Sequence, residues 1–286
     1  GIRDSVASRG LGDVYKRQDL KIGFIGAGNM ASALISGLIQ SNHSASCIMA
    51  SSPEQEHLNN LSKNFDIKTT NNNVEIVNFA DAVLLAVKPN MIETVLREIS
   101  ENVSRIDPLL ISIAAGIKIQ DLESYLSSPS RIIRAMPNTP ASIREGVTAI
   151  CANEHINEID ENFAKGLFAC VGEVAKIDEK SIDIYTALIG SGPAYVFYLI
   201  ESMLESSSNL DLDQKEKINL IAAMISGAAN LARASNEPPE VLRRNVTSPG
   251  GVTQRAIEEF EDNELKKIII RSMEVAEKKS IELGND

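Results

Sequence analysis

Lys21-Ile22-Gly23-Phe24-Ile25-Gly26-Ala27-Gly28-Asn29-Met30-Ala31 decides the fold. An apolar run ends at Ile25, two glycines turn the chain, and Leu34, Ile35, Leu38 and Ile39 then recur at helical spacing. Strand, glycine turn and helix, in that order, are what the G-x-G-x-x-G/A dinucleotide fingerprint requires. Gly26 supplies the tight turn, Gly28 lets the backbone approach a pyrophosphate, and small Ala31 allows the helix to pack closely on the strand. A plain tight turn in an α/β domain can use the same letters, so the flanking strand and helix carry the weight.

Outward from this unit the α/β alternation continues. Residues 82–87 (Ala-Val-Leu-Leu-Ala-Val) and 109–113 (Leu-Leu-Ile-Ser-Ile) read as strands buried on both faces. Between them Ile92, Val95, Leu96 and Ile99 mark a helix. Residues 131–136 continue the sheet and stop at Pro137-Asn138-Thr139-Pro140, a proline-punctuated loop at a strand's carboxyl end, where open α/β sheets bind ligands. The pattern predicts a Rossmann-type doubly wound domain over residues 19–177.

The second strand, near Cys47-Ile48-Met49-Ala50-Ser51-Ser52-Pro53, sets the choice of nicotinamide cofactor. An NAD site usually places Asp or Glu at that strand's end to bond the ribose hydroxyls. Ser51 and Ser52 stand there instead and tolerate a 2′-phosphate, which favours NADP(H). No Arg reinforces the choice, so NAD(H) stays as the alternative. These serines have a plainer role open to them as caps of the helix starting near Glu54.

After Asp178 the pattern turns helical, and residues 178–286 read as an all-α domain. Gly190-Ser191-Gly192-Pro193-Ala194-Tyr195 is expected to kink or start a helix and to let another backbone come close, with Tyr195 as core packing. Residues 218–234 are apolar on nearly every face, which for a globular chain means burial all round. Asn219, Ser226 and Asn230 make that stretch a poor membrane span. A small helical domain cannot enclose such a helix alone, so an obligate homodimer is expected.

Val246-Thr247-Ser248-Pro249-Gly250-Gly251-Val252-Thr253 carries hydroxyls, a proline and two glycines before a helix marked by Ala256, Ile257 and Phe260. The first N–H groups of that helix have no internal partner, and such a terminus binds carboxylate or phosphate. An ordinary capped helix start uses the same residue types.

Composition narrows the classes. A chain of 286 residues with 43% apolar residues can build two moderate cores, and its formal charge of −11 argues against nucleic acid and anionic membrane as partners. An anionic substrate must then be held by local dipoles. Cys47, Cys151, Cys170, His43, His57 and His155 lack metal-ligand spacing, so no metal site and no disulfide framework is expected. Cys47 and Cys170 read as buried reduced thiols, His155 as a solvated loop residue, and the compartment as the cytoplasm. Residues 1–18 have no apolar signal core and read as a non-native or disordered extension.

From Leu20 to the C-terminus the chain resembles the pyrroline-5-carboxylate reductases. The likeness rests on residues 24–30, Ala86-Val87-Lys88-Pro89, Ala114-Ala115-Gly116, Met136 to Pro140, Gly190 to Tyr195 and Thr247 to Gly251; the last two stretches are the specific ones. The chain departs at Ile189 and Val252, where the family often has Ser and Thr. The resemblance implies reduction of 1-pyrroline-5-carboxylate to L-proline, the last step of proline biosynthesis, by hydride transfer from NAD(P)H. It implies cofactor contacts at Gly26, Gly28, Asn29, Met30, Ser51, Asn73, Ala86, Val87, Lys88 and Pro89. Substrate contacts fall on Ser248, Gly250, Gly251, Val252 and Thr253: the carboxylate rests on the N–H groups of Gly251, Val252 and Thr253, and the catalytic Thr253 bonds the ring nitrogen. Asn73 also has the simpler reading of a cap before Val74, and Lys88 that of a solvated surface lysine. A homodimer, or a larger assembly of dimers, is the implied partner state. Two rivals share the glycine turn. A β-hydroxyacid dehydrogenase would carry a catalytic Lys near Gly190, where none stands; a non-catalytic regulator would have no use for Thr253 at an anion site.

Overall fold

The computed structural model describes residues 20–284. The expected extension over residues 1–18 lies outside them. The chain divides into two compact units: one runs to Gly190 and takes back the chain's end from Glu277, the other is Ser191–Ala276. The sequence places the division at residue 177.

The first unit is built on an eight-stranded sheet. Its strands are β1 (Ile22–Ile25), β2 (Ile48–Ser51), β3 (Lys68–Thr70), β4 (Ala82–Leu85), β5 (Leu109–Ser112), β6 (Ile132–Pro137), β7 (Gly146–Ala152) and β8 (Gly172–Lys176). They lie in the order β3-β2-β1-β4-β5-β6-β7-β8. Neighbours are parallel except β6 and β7, where Ile133 pairs with Ala152 and Met136 with Ala149 in antiparallel register. Chain order reverses between β1 and β4, the switch point at which doubly wound sheets open a crevice.

Helices cover both faces. They are α1 (Asn29–Gln40), α2 (Gln55–Phe65), α3 (Asn73–Phe79), α4 (Ile92–Ile106), α5 (Ile119–Ser124), α6 (Glu158–Ala169) and α7 (Ile182–Tyr185). Side chains alternate across each strand, so one run feeds two cores. Phe24, Ala50, Leu84 and Ile111 meet α1 (Leu34, Ile35) and α6 (Phe168) on one face. Ile25, Val83, Leu85 and Leu110 meet α3 (Ile76) and α4 (Val95, Leu96, Ile99) on the other. This double use is why the central strands read as unbroken apolar runs.

The chain then closes the unit with polar staples. Arg134, only 3% exposed, pairs with Glu179 at 3.1 Å, and the same Glu179 oxygen accepts from the Ile119 N–H at 2.7 Å. The Tyr185 hydroxyl donates to the Val147 carbonyl at 2.9 Å. Residues Thr186–Gly190 form a single π-turn. From the chain's end, Ser280 donates to Asp183 at 2.7 Å.

The second unit is helical: α8 (Gly192–Glu205), α9 (Gln214–Ala234), α10 (Pro239–Asn245), α11 (Val252–Asp262) and most of α12 (Leu265–Leu283). Pro193 stands at the start of α8, where its missing N–H costs nothing. Of the kink or helix start expected at residues 190–195, the helix start is present as α8, directly after the π-turn. One expectation, Tyr195 as core packing, needs correction, while the exposure of residues 218–234 in the single chain is consistent with the expectation that a small helical domain cannot enclose them alone. No residue of α8, α9, α10 or α11 is buried within the single chain; Leu220 of α9 is 57% exposed. Tyr195 is exposed as well and packs in no core of this chain. Helices alone, without a sheet to close on, leave much of that apolar surface outward.

Candidate active site

At the switch point, Gly26 adopts φ +105°, and a Cβ there would stand 2.5 Å from the Ala86 carbonyl oxygen. Only glycine lets β1 turn against the end of β4. Two backbone bonds lock the turn: Gly26 N–H to the Ser51 carbonyl at 2.9 Å and Ala86 N–H to the Ile25 carbonyl at 2.8 Å. Gly28 differs. It is the N-cap of α1, offers no side-chain cap, and a Cβ placed on it meets nothing within 4 Å. Open space therefore faces the positive end of α1, where a pyrophosphate gains from unpaired N–H groups and the helix dipole. Ala31 behind it is buried against the strand. The turn at Gly26 and the open N-terminus of α1 at Gly28 thus fit the pyrophosphate of a dinucleotide.

The implied cofactor residues Ser51 and Asn73 are brought together. Ser51 is fully buried and donates to Asn73 Oδ1 at 2.7 Å, while Asn73 Nδ2 donates to Glu98 at 2.9 Å. The Ser51 hydroxyl is therefore turned into the protein. Ser52 accepts from the Glu54 N–H at 3.1 Å in the turn before α2; the N-cap there is Glu54, without a side-chain cap bond, so neither serine is the helix cap that the sequence reading weighed. Asn73 is not the cap of α3; Asn72 is, through its side chain and the Val74 N–H at 2.9 Å. Lys88 is solvent-exposed beside Pro89.

Residues the sequence reading left without a role join this edge. A cavity of about 460 Å³ lies between α1 and the loop after β6, lined by Asn29, Met30, Ser36, Thr139 and Ser142 among others. That loop is held by Asn138, whose Oδ1 accepts from the Val147 N–H at 2.8 Å and whose Nδ2 donates to the Ile189 carbonyl at 3.2 Å. One buried amide thus ties β6, β7 and the π-turn together. Its partners lie far along the chain, so only the Pro-Asn-Thr-Pro punctuation marked it.

Burial also governs the thiols. Cys151 is pushed up to about 12 by burial and by the nearby Glu179 charge, moderated by Arg134. Cys170, whose thiol donates to the Leu167 carbonyl, is likewise pushed up to about 12 by burial. Cys47 is only partly buried, less than its apolar setting implied, and all three are free. His155 is exposed, as its polar run predicts. Among the described residues no cluster of His, Cys, Asp or Glu could hold a metal ion.

In the second unit, the loop before α11 turns at Gly250, φ +72°. The Gly250 N–H donates to Gln254 Oε1 at 2.6 Å and the Gly251 N–H to the Ser248 carbonyl at 3.0 Å. Gly251 is the N-cap of α11 and has no side chain to cap it. The open donors are those of the first helical turn, Val252 and Thr253. The Gly251 N–H, assigned to the carboxylate from the resemblance, is already engaged inside the loop. Ser248, Val252 and Thr253 are solvent-exposed.

A family profile described as pyrroline-5-carboxylate reductase dimerisation matches residues 179–283. One described as NADP oxidoreductase, coenzyme F420-dependent, matches residues 21–116. The chain is 37% identical to a pyrroline-5-carboxylate reductase of Pseudomonas aeruginosa over 92% of its own length and 97% of the relative's. A pyrroline-5-carboxylate reductase structure from Coxiella burnetii superposes with TM-score 0.86 at 35% identity, covering 93% of this chain and 98% of that one. The Plasmodium falciparum pyrroline carboxylate reductase with NADP bound superposes with TM-score 0.85 at 32% identity, covering 93% and 99%.

Proposed function

The chain belongs to the pyrroline-5-carboxylate reductase family, and from that premise we propose that it is an NADP(H)-dependent reductase converting 1-pyrroline-5-carboxylate to L-proline. The observation that carries the reading is the pair of open helix termini: Gly28 at the head of α1 and Gly251 at the head of α11, each an N-cap without a side-chain cap. The first suits a pyrophosphate and the second a carboxylate.

When bound, the nicotinamide supplies the hydride that the ring C=N carbon accepts. The protein's part is placement. The N–H groups of Val252 and Thr253 hold the carboxylate, and the Thr253 hydroxyl bonds the ring nitrogen, so the substrate is oriented rather than activated by a strong acid. No His, Asp or Glu stands in these motifs. The imine arrives already protonated, as the iminium, or takes its proton through water. Gly26, Gly28, Asn29, Met30, Ala86 and Val87 form the cofactor's backbone cradle. Ser51 and Asn73 act there as a bonded pair.

The exposed apolar faces of the second unit and the dimerisation profile support a homodimer or a larger assembly of dimers. The free thiols support the cytoplasm. Residues Glu179–Glu205 are long and apolar enough to cross a membrane by composition. Ile182, Tyr185 and Ala187 within them are buried in the first unit, which supports a chain that does not insert.

Following NADPH absorbance with and without pyrroline-5-carboxylate tests the reading. Oxidation that requires the imine is expected. Turnover of a hydroxyacid with NAD(P)⁺ and none of the imine would assign the dehydrogenase reading instead, and cofactor binding without any turnover would assign a regulator.

A further inference from the structure

Gln254 is the third residue of α11, counted after the N-cap Gly251. A Gln or Glu at that position commonly reaches back to the N-cap N–H in a capping box. Here it reaches one residue further, and its Oε1 accepts from the Gly250 N–H at 2.6 Å. Gly251 cannot return a side-chain bond, so this is half a box. The amide is oriented by a second contact: Gln254 Nε2 donates to Glu258 at 2.7 Å, and the other Glu258 oxygen receives Arg255 at 2.5 Å. With its donor facing a carboxylate, the amide can only present its oxygen to Gly250.

Packing does not hold this turn. Gly250 sits at φ +72°, and nothing lies within 4 Å of where its Cβ would be. What fixes it is the pair of bonds from Gly250 to Gln254 and from Gly251 to Ser248. A glutamate at position 254 would keep an acceptor for Gly250 and would gain from the helix dipole, but it would lose the bond to Glu258 and face that carboxylate. It would also set a negative charge beside the donors meant for an anion. A neutral amide holds the turn without that opposition.

We infer that Gln254 is a positioning residue for the substrate: it holds the Pro249-Gly250-Gly251 turn so that the N–H groups of Val252 and Thr253 stay open to a carboxylate. This rests on the carboxylate reading of the loop given under the proposed function. Gln254 touches neither substrate nor cofactor, and acts through the backbone.

Two variants of the full-length protein decide it, each read by KM for pyrroline-5-carboxylate, kcat, Tm and the NADPH Kd from cofactor fluorescence. Gln254→Met removes the acceptor at similar size. The KM for pyrroline-5-carboxylate should rise about threefold to tenfold, the worth of one hydrogen bond, with kcat within about twofold and NADPH Kd unchanged. Gln254→Glu keeps the acceptor and adds charge. Facing the Glu258 carboxylate, it should lose a little Tm, as a like-charge i,i+4 pair does, while KM increases about tenfold or more, well beyond the KM change that Gln254→Met gives, a split that a purely structural cap cannot produce. An unchanged KM in Gln254→Met overturns the inference. If that variant fails to fold, an unchanged KM in Gln254→Glu overturns it. Wild-type protein that binds NADPH yet reduces no pyrroline-5-carboxylate would instead bring down the functional reading itself.

Discussion

Phe24, Leu34 and Leu84 of the first unit are fully buried, whereas Phe197, Leu220 and Ile269 of the second leave half or more of their surface outside. Both regions draw on the same aliphatic and aromatic residues. The first has a sheet, whose two faces give every alternate side chain a partner helix. The second has helices with apolar residues on several sides and no sheet to close them on. Contiguous exposed apolar surface of that extent marks an interaction face. The first unit therefore carries its stability within one chain; under the proposed homodimer, the second would draw part of its stability from assembly.

The largest effect should come from charging the exposed face of the second unit. Leu231, 58% exposed in the single chain, is the place to do it. Leu231→Glu should abolish assembly, and with it activity, because an unpaired charge would have to be buried between copies. Leu34→Ala, in the first unit, should cost about 2–5 kcal/mol at any protein concentration. Wild-type Tm should instead rise with concentration. Sedimentation showing a stable, active monomer would break the comparison outright.

The next effect separates the two glycines of the fingerprint. Gly26 is needed by the fold and Gly28 by the ligand. Gly26→Ala should lower Tm through about 1–3 kcal/mol of strain, more if Ala86 cannot yield. Gly28→Leu should leave Tm within about 1 kcal/mol of wild type while NADPH affinity falls about a hundredfold, since the side chain fills the cradle. A Gly28→Leu protein that binds NADPH normally would sink the cradle.

These two glycines also show what was legible in the sequence. An unbroken apolar strand, a glycine turn and a 3.6-period helix lie within about twenty residues of one another, so local pattern alone places β1, the turn and α1. Strand β3, Lys-Thr-Thr, is a polar edge and carries no such signal. Strand β7 was missed because it returns antiparallel after six parallel strands, and its pairing with β6 depends on a loop fixed by Asn138. Side chains that act across long separations stayed hidden: Asn138 reaches Val147 and Ile189, and Ser51 reaches Asn73. Gln254 did carry a local signal, a glutamine three places after an N-cap, but with glycine as the cap the box lacks its usual Ser or Thr. The exposure of the second unit was legible only in part: residues 218–234, apolar on nearly every face, pointed to cover from a second copy, but helical periodicity does not say which faces of the other helices stay outward.

A smaller effect belongs to the anion loop of the second unit. Thr253→Ala should lower kcat/KM about tenfold to a hundredfold, as expected for losing about 1.5–3 kcal/mol in a hydrogen bond to a charged iminium. NADPH affinity should not move. Thr253→Ser should recover most of the rate, because the hydroxyl is kept. A destabilised Thr253→Ala enzyme with full activity per folded molecule would remove Thr253 from the site and reduce it to a helix residue.

The smallest effect vanishes at neutral pH and again divides the units. All three cysteines lie in the first unit, and Cys151 and Cys170 are held neutral up to about 12 by burial, against a usual value of 9.0. In the unfolded chain these thiols ionise near the usual value; in the folded chain they stay protonated. The unfolded state thus binds fewer protons above that point, and stability must fall as pH rises from about 9 toward about 12, with no contribution below. Tm measured from neutral to alkaline pH should show this loss, and a Cys151→Ala/Cys170→Ala double variant should flatten it. Thiol labelling of the native protein gives the same answer from another side: the partly buried Cys47 should react first, and the buried pair only as the first unit unfolds. Early labelling of Cys151 or Cys170 would mean that the first unit opens as readily as the second.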